Sequence, residues 1–243
     1  AQYGFLGNNH ASCTLRTAVV ELASASGLER ISPADRNALT TSTFGTGLLI
    51  RAAIDAGADR IVLGLGGSAT TDGGTGLARA LGFRFLDSTD HAIPLGGGTL
   101  ADLAKIDDSE VPDSVKNIPI ILACDVTNPL TGSEGAAHVF APQKGATTTQ
   151  VERLDRGLAN LAHAIMQYSG RDIEHTPGSG AAGGTGGGML GLFNASIRPG
   201  IELVLDLAHG REACAWADVV ITGEGSIDSQ TPYGKVPSGI AKL

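Results

Sequence analysis

The stretch Ile61-Val-Leu-Gly-Leu-Gly-Gly-Ser-Ala-Thr-Thr-Asp-Gly-Gly-Thr-Gly76 decides the fold class. Its first five residues form a continuous apolar run, the pattern of a strand covered on both faces. The glycine-rich remainder leads directly into a helical pattern over Thr75 to Leu81. A buried strand, a glycine loop and a helix in succession form the unit with which α/β proteins bind phosphate. Glycines such as Gly66 and Gly67 let backbone amides approach an anion with no Cβ in the way. Ser68, Thr70 and Thr71 add hydroxyl donors, and the helix N-terminus adds partial positive charge. Asp72 stands where it either caps that helix or meets a metal or substrate.

Working outward, short runs rich in β-branched residues alternate with helical patterns, the signature of βα units around a parallel sheet. The strand candidates are Thr17 to Leu22, Arg60 to Leu65, Phe83 to Leu86, Ile118 to Cys124, Glu202 to Leu205 and Asp218 to Thr222. Helices are expected over Thr46 to Ala56, Thr75 to Leu81, Val151 to Tyr168, Gly186 to Asn194, Leu207 to Trp216 and Pro237 to Leu243. Gly57 and Gly82 suit the left-handed position that closes the first two. The long helix places Leu154, Leu158, Leu161, Ala162, Ile165 and Met166 toward one core. The predicted class is α/β, with a mostly parallel or mixed sheet and flanking helices. Residues 1–86 form a segment with the phosphate loop, 87–118 a loop-rich excursion, and 119–243 a second α/β segment.

Bulk composition narrows the function. With 243 residues, 42% of them apolar, 17% charged and no apolar run approaching ~18 residues, the chain reads as a soluble globular protein without a membrane span. No secretory signal is visible. A net charge of −8 argues against nucleic acid or an anionic membrane as partner, because both require a basic surface. It does not exclude a nucleotide, which local amides, Mg²⁺ and one or two cations hold. Cys13, Cys124 and Cys214 are widely separated and offer neither a disulfide framework nor a zinc site, which fits a reducing cytoplasm.

Two other strand ends carry polar residues in small-residue surroundings. In Cys124-Asp-Val-Thr-Asn-Pro-Leu130, Asp125 and Asn128 form an oxygen pair suited to Mg²⁺ or a substrate hydroxyl, with an Asx-turn as the alternative. Downstream, Lys144 in Gln143-Lys-Gly145 is the only cation of that loop region and reads as a solvated surface lysine. In Thr222-Gly-Glu-Gly-Ser-Ile-Asp-Ser-Gln-Thr231, Glu224 and Asp228 could hold Mg²⁺ or take a proton. Lys235 could neutralise a phosphoryl group or simply pair with either acid. A fourth cluster, Gly178 to Gly188, permits either tight helix packing or ligand access to amides.

The loop also contains Gly64-x-Gly66-x-x-Ala69, a relaxed dinucleotide fingerprint, with Asp87 after the next strand candidate where a ribose-binding acid would lie. An NAD-dependent oxidoreductase is therefore the rival. Against it, Thr70-Thr-Asp-Gly-Gly74 prolongs the loop where the fingerprint needs helix. No Gly-Lys-Ser or Gly-Lys-Thr occurs, which excludes a Walker A loop. A non-catalytic α/β ligand-binding fragment is the third reading.

Thr41-Ser-Thr-Phe-Gly-Thr-Gly47, Gly64 to Gly76, Ala123 to Leu130, Pro142-Gln-Lys-Gly145, Gly180-Ala-Ala-Gly-Gly184 and Ile221 to Gln230 together resemble, in order, the glycerate kinase family of bacterial glyoxylate and sugar-acid catabolism. The resemblance implies a two-domain α/β enzyme that uses ATP and Mg²⁺ to phosphorylate D-glycerate to 2-phosphoglycerate. For that chemistry the loops offer Gly66, Gly67, Ser68, Thr70, Thr71, Asp72 and Asn128 for the nucleotide, Asp125 and Glu224 for the metal, and Asp125, Asp228 and Lys235 for catalysis, with the choice of base and metal ligand among the acids left open. D-glycerate is the expected partner, and a homodimer is left open. Against the family pattern, the acidic Ala-Asp-Gly-Gly-Glu-Gly stretch of the N-terminal segment is absent and the chain stops in an incipient helix at Ala241-Lys-Leu243. The expectation is a piece lacking both family ends, with residues 9–15 as an insertion or a site of omission.

Overall fold

A computed structural model describes residues 4–7, 15–223 and 240–241. Strand β1 (Gly4–Gly7) is followed by β2 (Arg16–Glu21), helices α1 (Ala23–Ser26) and α2 (Phe44–Asp55), strand β3 (Arg60–Gly64) and helix α3 (Thr75–Ala80). A short excursion contains β4 (Arg84–Leu86), β5 (Lys105–Asp107) and α4 (Asp113–Asn117). The chain continues through β6 (Ile120–Ala123), α5 (Ala136–Phe140), α6 (Thr148–Ser169), α7 (Ala181–Leu192), β7 (Ala195–Arg198), α8 (Gly200–Leu207) and α9 (Gly210–Trp216).

Among the described residues, the principal sheet has five strands in the order β1-β2-β3-β6-β7, with β2, β3, β6 and β7 parallel and β1 antiparallel on one edge. This is the α/β class read from the sequence. Ala18, Val20, Ile61, Leu63, Ile120 and Leu122 are at most 1% exposed and, by register and alternation, line one face of the sheet, while on the other face Val62 is buried and Val19 and Ile121 are half-buried. Register aligns their carboxyl ends: Glu21 lies opposite Gly64, Gly64 opposite Ala123, and Ala123 opposite Arg198. The loops that begin after these residues therefore leave one edge of the sheet together.

Helix α6 is longer than expected because a capping box closes its start, with Thr147 and Gln150 exchanging side-chain and backbone hydrogen bonds. Gly170, in the left-handed conformation, ends it. Leu154, Leu158, Leu161 and Ile165 are fully buried, as the spacing requires, but Met166 is 46% exposed at the margin of the apolar stripe. Arg153 and Asn160 on the same helix donate to the carbonyls of Gly98, Leu100 and Leu103, and so fasten the excursion to α6.

Two local expectations are corrected, and one strand carries no sequence signal. Glu202 to Leu205, whose short apolar run suggests a strand, lies within α8, because Asp125 Oδ1 accepts the Gly200 N–H at 2.8 Å and caps a helix there. The apolar run after Asp218 forms no strand among the described residues: Val219 is 76% and Ile221 92% exposed, and a strand needs a ladder partner as well as hydrophobicity. Strand β7 has too few β-branched residues to signal itself, and its pairing with β6 fixes it. The helix expected over Pro237 to Leu243 and Cys13 fall largely or wholly outside the described residues.

Candidate functional site at the carboxyl edge of the sheet

The loops after β3 and β6 open on one cavity of about 470 Å³, within the size range of small-ligand pockets. Gly66, Gly67 and Ser68 form one side, Cys124, Asp125 and Val126 another, and Gln143, Lys144, Ala181 and Ala182 contribute from later in the chain. A side chain on Gly66 would meet nothing within 4 Å, so its backbone faces open space that a ligand can occupy. A second cavity of about 740 Å³, bordered by Glu21, Ser24, Glu29 and Arg30, shares Leu28, Gly66 and Gly67 with the first.

Asp72 does not line the cavity. It is fully buried, and its Oδ2 accepts from Thr43 N at 2.8 Å, Thr43 Oγ1 at 2.9 Å and Gly76 N at 3.2 Å, while Oδ1 accepts from Gly74 N at 3.2 Å. Those bonds cap α3 and tie it to the start of α2. Thr70 and Thr71 are likewise buried, with hydroxyls that find no partner among the described residues. Asn128 donates from Nδ2 to Glu134 O at 2.8 Å and accepts Gly180 N–H on its carbonyl at 3.0 Å, holding the turn after β6. Asp125 is exposed, borders the cavity and uses one oxygen on Gly200 N. Glu224, Asp228 and Lys235 lie outside the described residues.

Lys144 departs most from its sequence reading. It is 1% exposed, with Nζ 2.6 Å from Thr70 O and 2.9 Å from Ser68 Oγ. Burial pushes its pKa down to about 8, opposed in part by the charge of Asp72. Local chemistry fixes the position: Pro142 opens a 3-10 turn over Pro142–Lys144, and Gly145 closes it at φ 91°. Arg36 Nη1 donates to Gln143 O at 3.1 Å from the opposite side. The Pro-Gln-Lys-Gly pattern announces a turn, but no local pattern announces that the lysine is buried against a loop more than 70 residues earlier.

The glycines of residues 178–188 bring α7 against the phosphate-type loop. A Cβ on Gly183 would collide with Thr70 O and lie 2.7 Å from Thr71 Cα, so only glycine permits this approach. Ala182, Gly183 and Gly184 are all left-handed, at φ 52°, 66° and 86°. The cluster provides close packing, and Ala181 and Ala182 within it also border the cavity.

The NAD reading fails on topology. Strand β4 pairs with β5 in a separate two-stranded sheet, so Asp87 does not end a strand beside β3. Asp87 instead closes an exposed turn, accepting from Thr89 and His91 on Oδ1, which holds its pKa below the ordinary carboxylate value. Helix α3 begins at Thr75, beyond the fingerprint.

Fold and cavity together define an open, largely parallel α/β protein with a glycine-lined pocket at the carboxyl edge of its strands. The chain belongs to the glycerate kinase family, whose profile matches residues 1–243. Curated glycerate kinases from Halalkalibacterium halodurans and Bacillus subtilis are each 47% identical over 242 residues, spanning 100% of this chain and 62% of theirs. The glycerate 2-kinase of Escherichia coli is 43% identical over 228 residues, 94% of this chain and 60% of its own. A crystal structure assigned as glycerate kinase 2 from Salmonella typhimurium matches with a TM-score of 0.87 and 46% identity, covering 99% of this chain and 67% of that one. The chain thus spans less than two thirds of the length of these curated relatives. Among the described residues, no helix is long and apolar enough to cross a membrane.

Proposed function

We propose that the protein to which this chain belongs phosphorylates D-glycerate with ATP, giving 2-phosphoglycerate. The observation that carries the reading is the shared cavity: the Gly66-Gly67-Ser68 loop and Asp125 reach it from adjacent parallel strands, a spacing suited to a phosphate chain beside a small alcohol. Family membership supports the reaction class. Such a transfer depends on positioning and charge stabilisation more than on covalent chemistry by the protein.

The open space beside Gly66 accommodates an approaching phosphate, which fits ATP as the donor. For Mg²⁺, no group of three or more acidic, His or Cys side chains gathers among the described residues. The ion commonly takes one or two carboxylates and completes its shell with water and substrate phosphates. Asp125 Oδ2, with Oδ1 already bonded to Gly200 N, fits as one such oxygen, and Glu224 is the proposed second. When bound, the ion would offset charge on the phosphates. Asp125 is equally placed to receive the proton of the substrate hydroxyl at Oδ2. Asp228 and Lys235 are proposed to complete the site. The free Cys124 and Cys214 agree with action in the reducing cytoplasm.

The test is a coupled ADP-release assay with D-glycerate on the complete gene product, with phosphorus NMR to identify the phosphorylated carbon. Release dependent on D-glycerate and a 2-phospho product support the proposal. No release with the folded protein removes it, and a 3-phospho product corrects the carbon.

A further inference from the structure

We infer that Lys144 is the charge anchor of an oxyanion subsite, holding a phosphoryl group of the ligand against Gly66, Gly67 and Ser68. The inference deepens the kinase reading and rests on it for the identity of the phosphoryl donor, but it begins from an independent fact.

A lysine side chain is almost never fully buried without a compensating partner, because desolvation of an ammonium costs several kcal/mol. Lys144 is 1% exposed, yet among the described residues no carboxylate oxygen lies within ion-pair distance of its Nζ. Its acceptors are neutral: Ser68 Oγ at 2.9 Å and Thr70 O at 2.6 Å. An ammonium has three donors, so one remains after these two bonds. Lys144 also borders the 470 Å³ cavity, and Gly66, Gly67 and Ser68 border the same space.

Among the described residues, the charged groups around it do not supply the missing anion. Asp72 acts on Lys144 through space, but its four hydrogen bonds go to Thr43, Gly74 and Gly76. Asp125 borders the cavity without an ion pair to Lys144, and one of its oxygens is engaged with Gly200 N. Arg36, behind the 142–145 turn, donates to Gln143 O and adds positive charge. The burial that pushes Lys144 down to about 8 is the same burial that strengthens its attraction for an anion entering the cavity. Ser68 serves two ends: its oxygen accepts from Lys144, which leaves its own proton to donate to a ligand oxygen. A tetrahedral phosphoryl oxyanion satisfies the free ammonium proton, the Ser68 hydroxyl and the glycine amides together.

The experiment uses the complete gene product with inorganic phosphate and, separately, ADP as probes, followed by calorimetric titration near pH 7. Lys144→Met keeps the length of the stem and removes the charge, and Ser68→Ala removes the hydroxyl alone. Phosphate and ADP should bind roughly 10- to 100-fold more weakly to Lys144→Met, and several-fold more weakly to Ser68→Ala. As a readout independent of any variant, the ¹⁵Nζ resonance of Lys144 in the native protein should shift on phosphate addition, because the ligand contacts that atom. Undiminished binding by folded Lys144→Met overturns the inference, and so does a Lys144 resonance unmoved by saturating phosphate. If Lys144→Met fails to fold, the native resonance and Ser68→Ala decide. Lys144-dependent phosphate binding in a protein that does not phosphorylate D-glycerate keeps the subsite and removes the kinase reading. D-glycerate phosphorylation with phosphate binding indifferent to Lys144 does the reverse.

Discussion

The two sides of the cavity are built on opposite principles. On one side, Ser68, Lys144 and the left-handed turn at Ala182 to Gly184 are packed so closely that a single Cβ at Gly183 would strike Thr70 O. On the other, Asp125 is solvent-exposed and accepts a hydrogen bond from the first amide of α8. The closed side sets geometry in advance and carries a desolvated cation. The open side offers a hydrated carboxylate, whose desolvation is compensated only when a ligand group pairs with it. A site that must grip a phosphate and still admit a substrate benefits from one wall of each kind.

The largest expected effect is on the open side. Asp125→Asn retains an oxygen that can accept from Gly200 N, so α8 should keep its cap, while kcat for D-glycerate should fall by on the order of 10² to 10⁴ if the carboxylate acts as base or metal ligand. Unchanged kcat in a folded variant would reassign Asp125 to capping alone, and the two walls would no longer differ in function.

On the closed side, the largest effect concerns pH. The native pKa of Lys144 lies near 8, below the ordinary value near 10.5. Below about 8 both folded and unfolded chains carry the proton, and the folded state bears the cost of burying it. Between about 8 and about 10.4 the unfolded chain binds more protons, so unfolding free energy should rise with pH by on the order of 3 kcal/mol from this site. Urea titrations of native protein and Lys144→Met across that window give the difference, since other titrating groups are shared. Parallel pH profiles would show that the lysine is not desolvated.

Gly183→Ala should cost roughly 2–3 kcal/mol, because the methyl group meets Thr70 O and forces a strained left-handed residue. It should also displace the carbonyl that holds Lys144. Chemical denaturation measures the loss, and a loss below about 0.5 kcal/mol would mean that the close approach is softer than described. The smallest effect is expected at Ala182, left-handed at φ 52° on the cavity wall. Ala182→Gly should stabilise by about 1 kcal/mol by relieving its Cβ, read from the same titrations. Destabilisation would show that the methyl group contributes packing that outweighs the strain.

Legibility from sequence followed the range of the forces involved. The unit from Ile61 to Gly76 was readable because strand, loop and helix each have a short-range pattern, and the structure has all three in that order. Helix α6 was readable because its apolar spacing repeats over 22 residues. Strand β7 gave no signal and helix α8 reads as a strand, because pairing with β6 and a cap from Asp125 decide them, and neither interaction is local. The same reason hid Lys144, whose acceptors lie 74 and 76 residues earlier. Asp72, Thr70 and Thr71 sit in the right loop, but sequence could not say which side of it each side chain takes.

The claim on which the account depends is that separate strand-end loops build one ligand pocket. Backbone amide NMR of the complete gene product, titrated with ATP and Mg²⁺, tests it most directly. The account predicts that Gly66, Gly67, Ser68 and Asp125 shift together along one binding curve. Shifts confined to one of the two loops, or loops following curves with different midpoints, would contradict it.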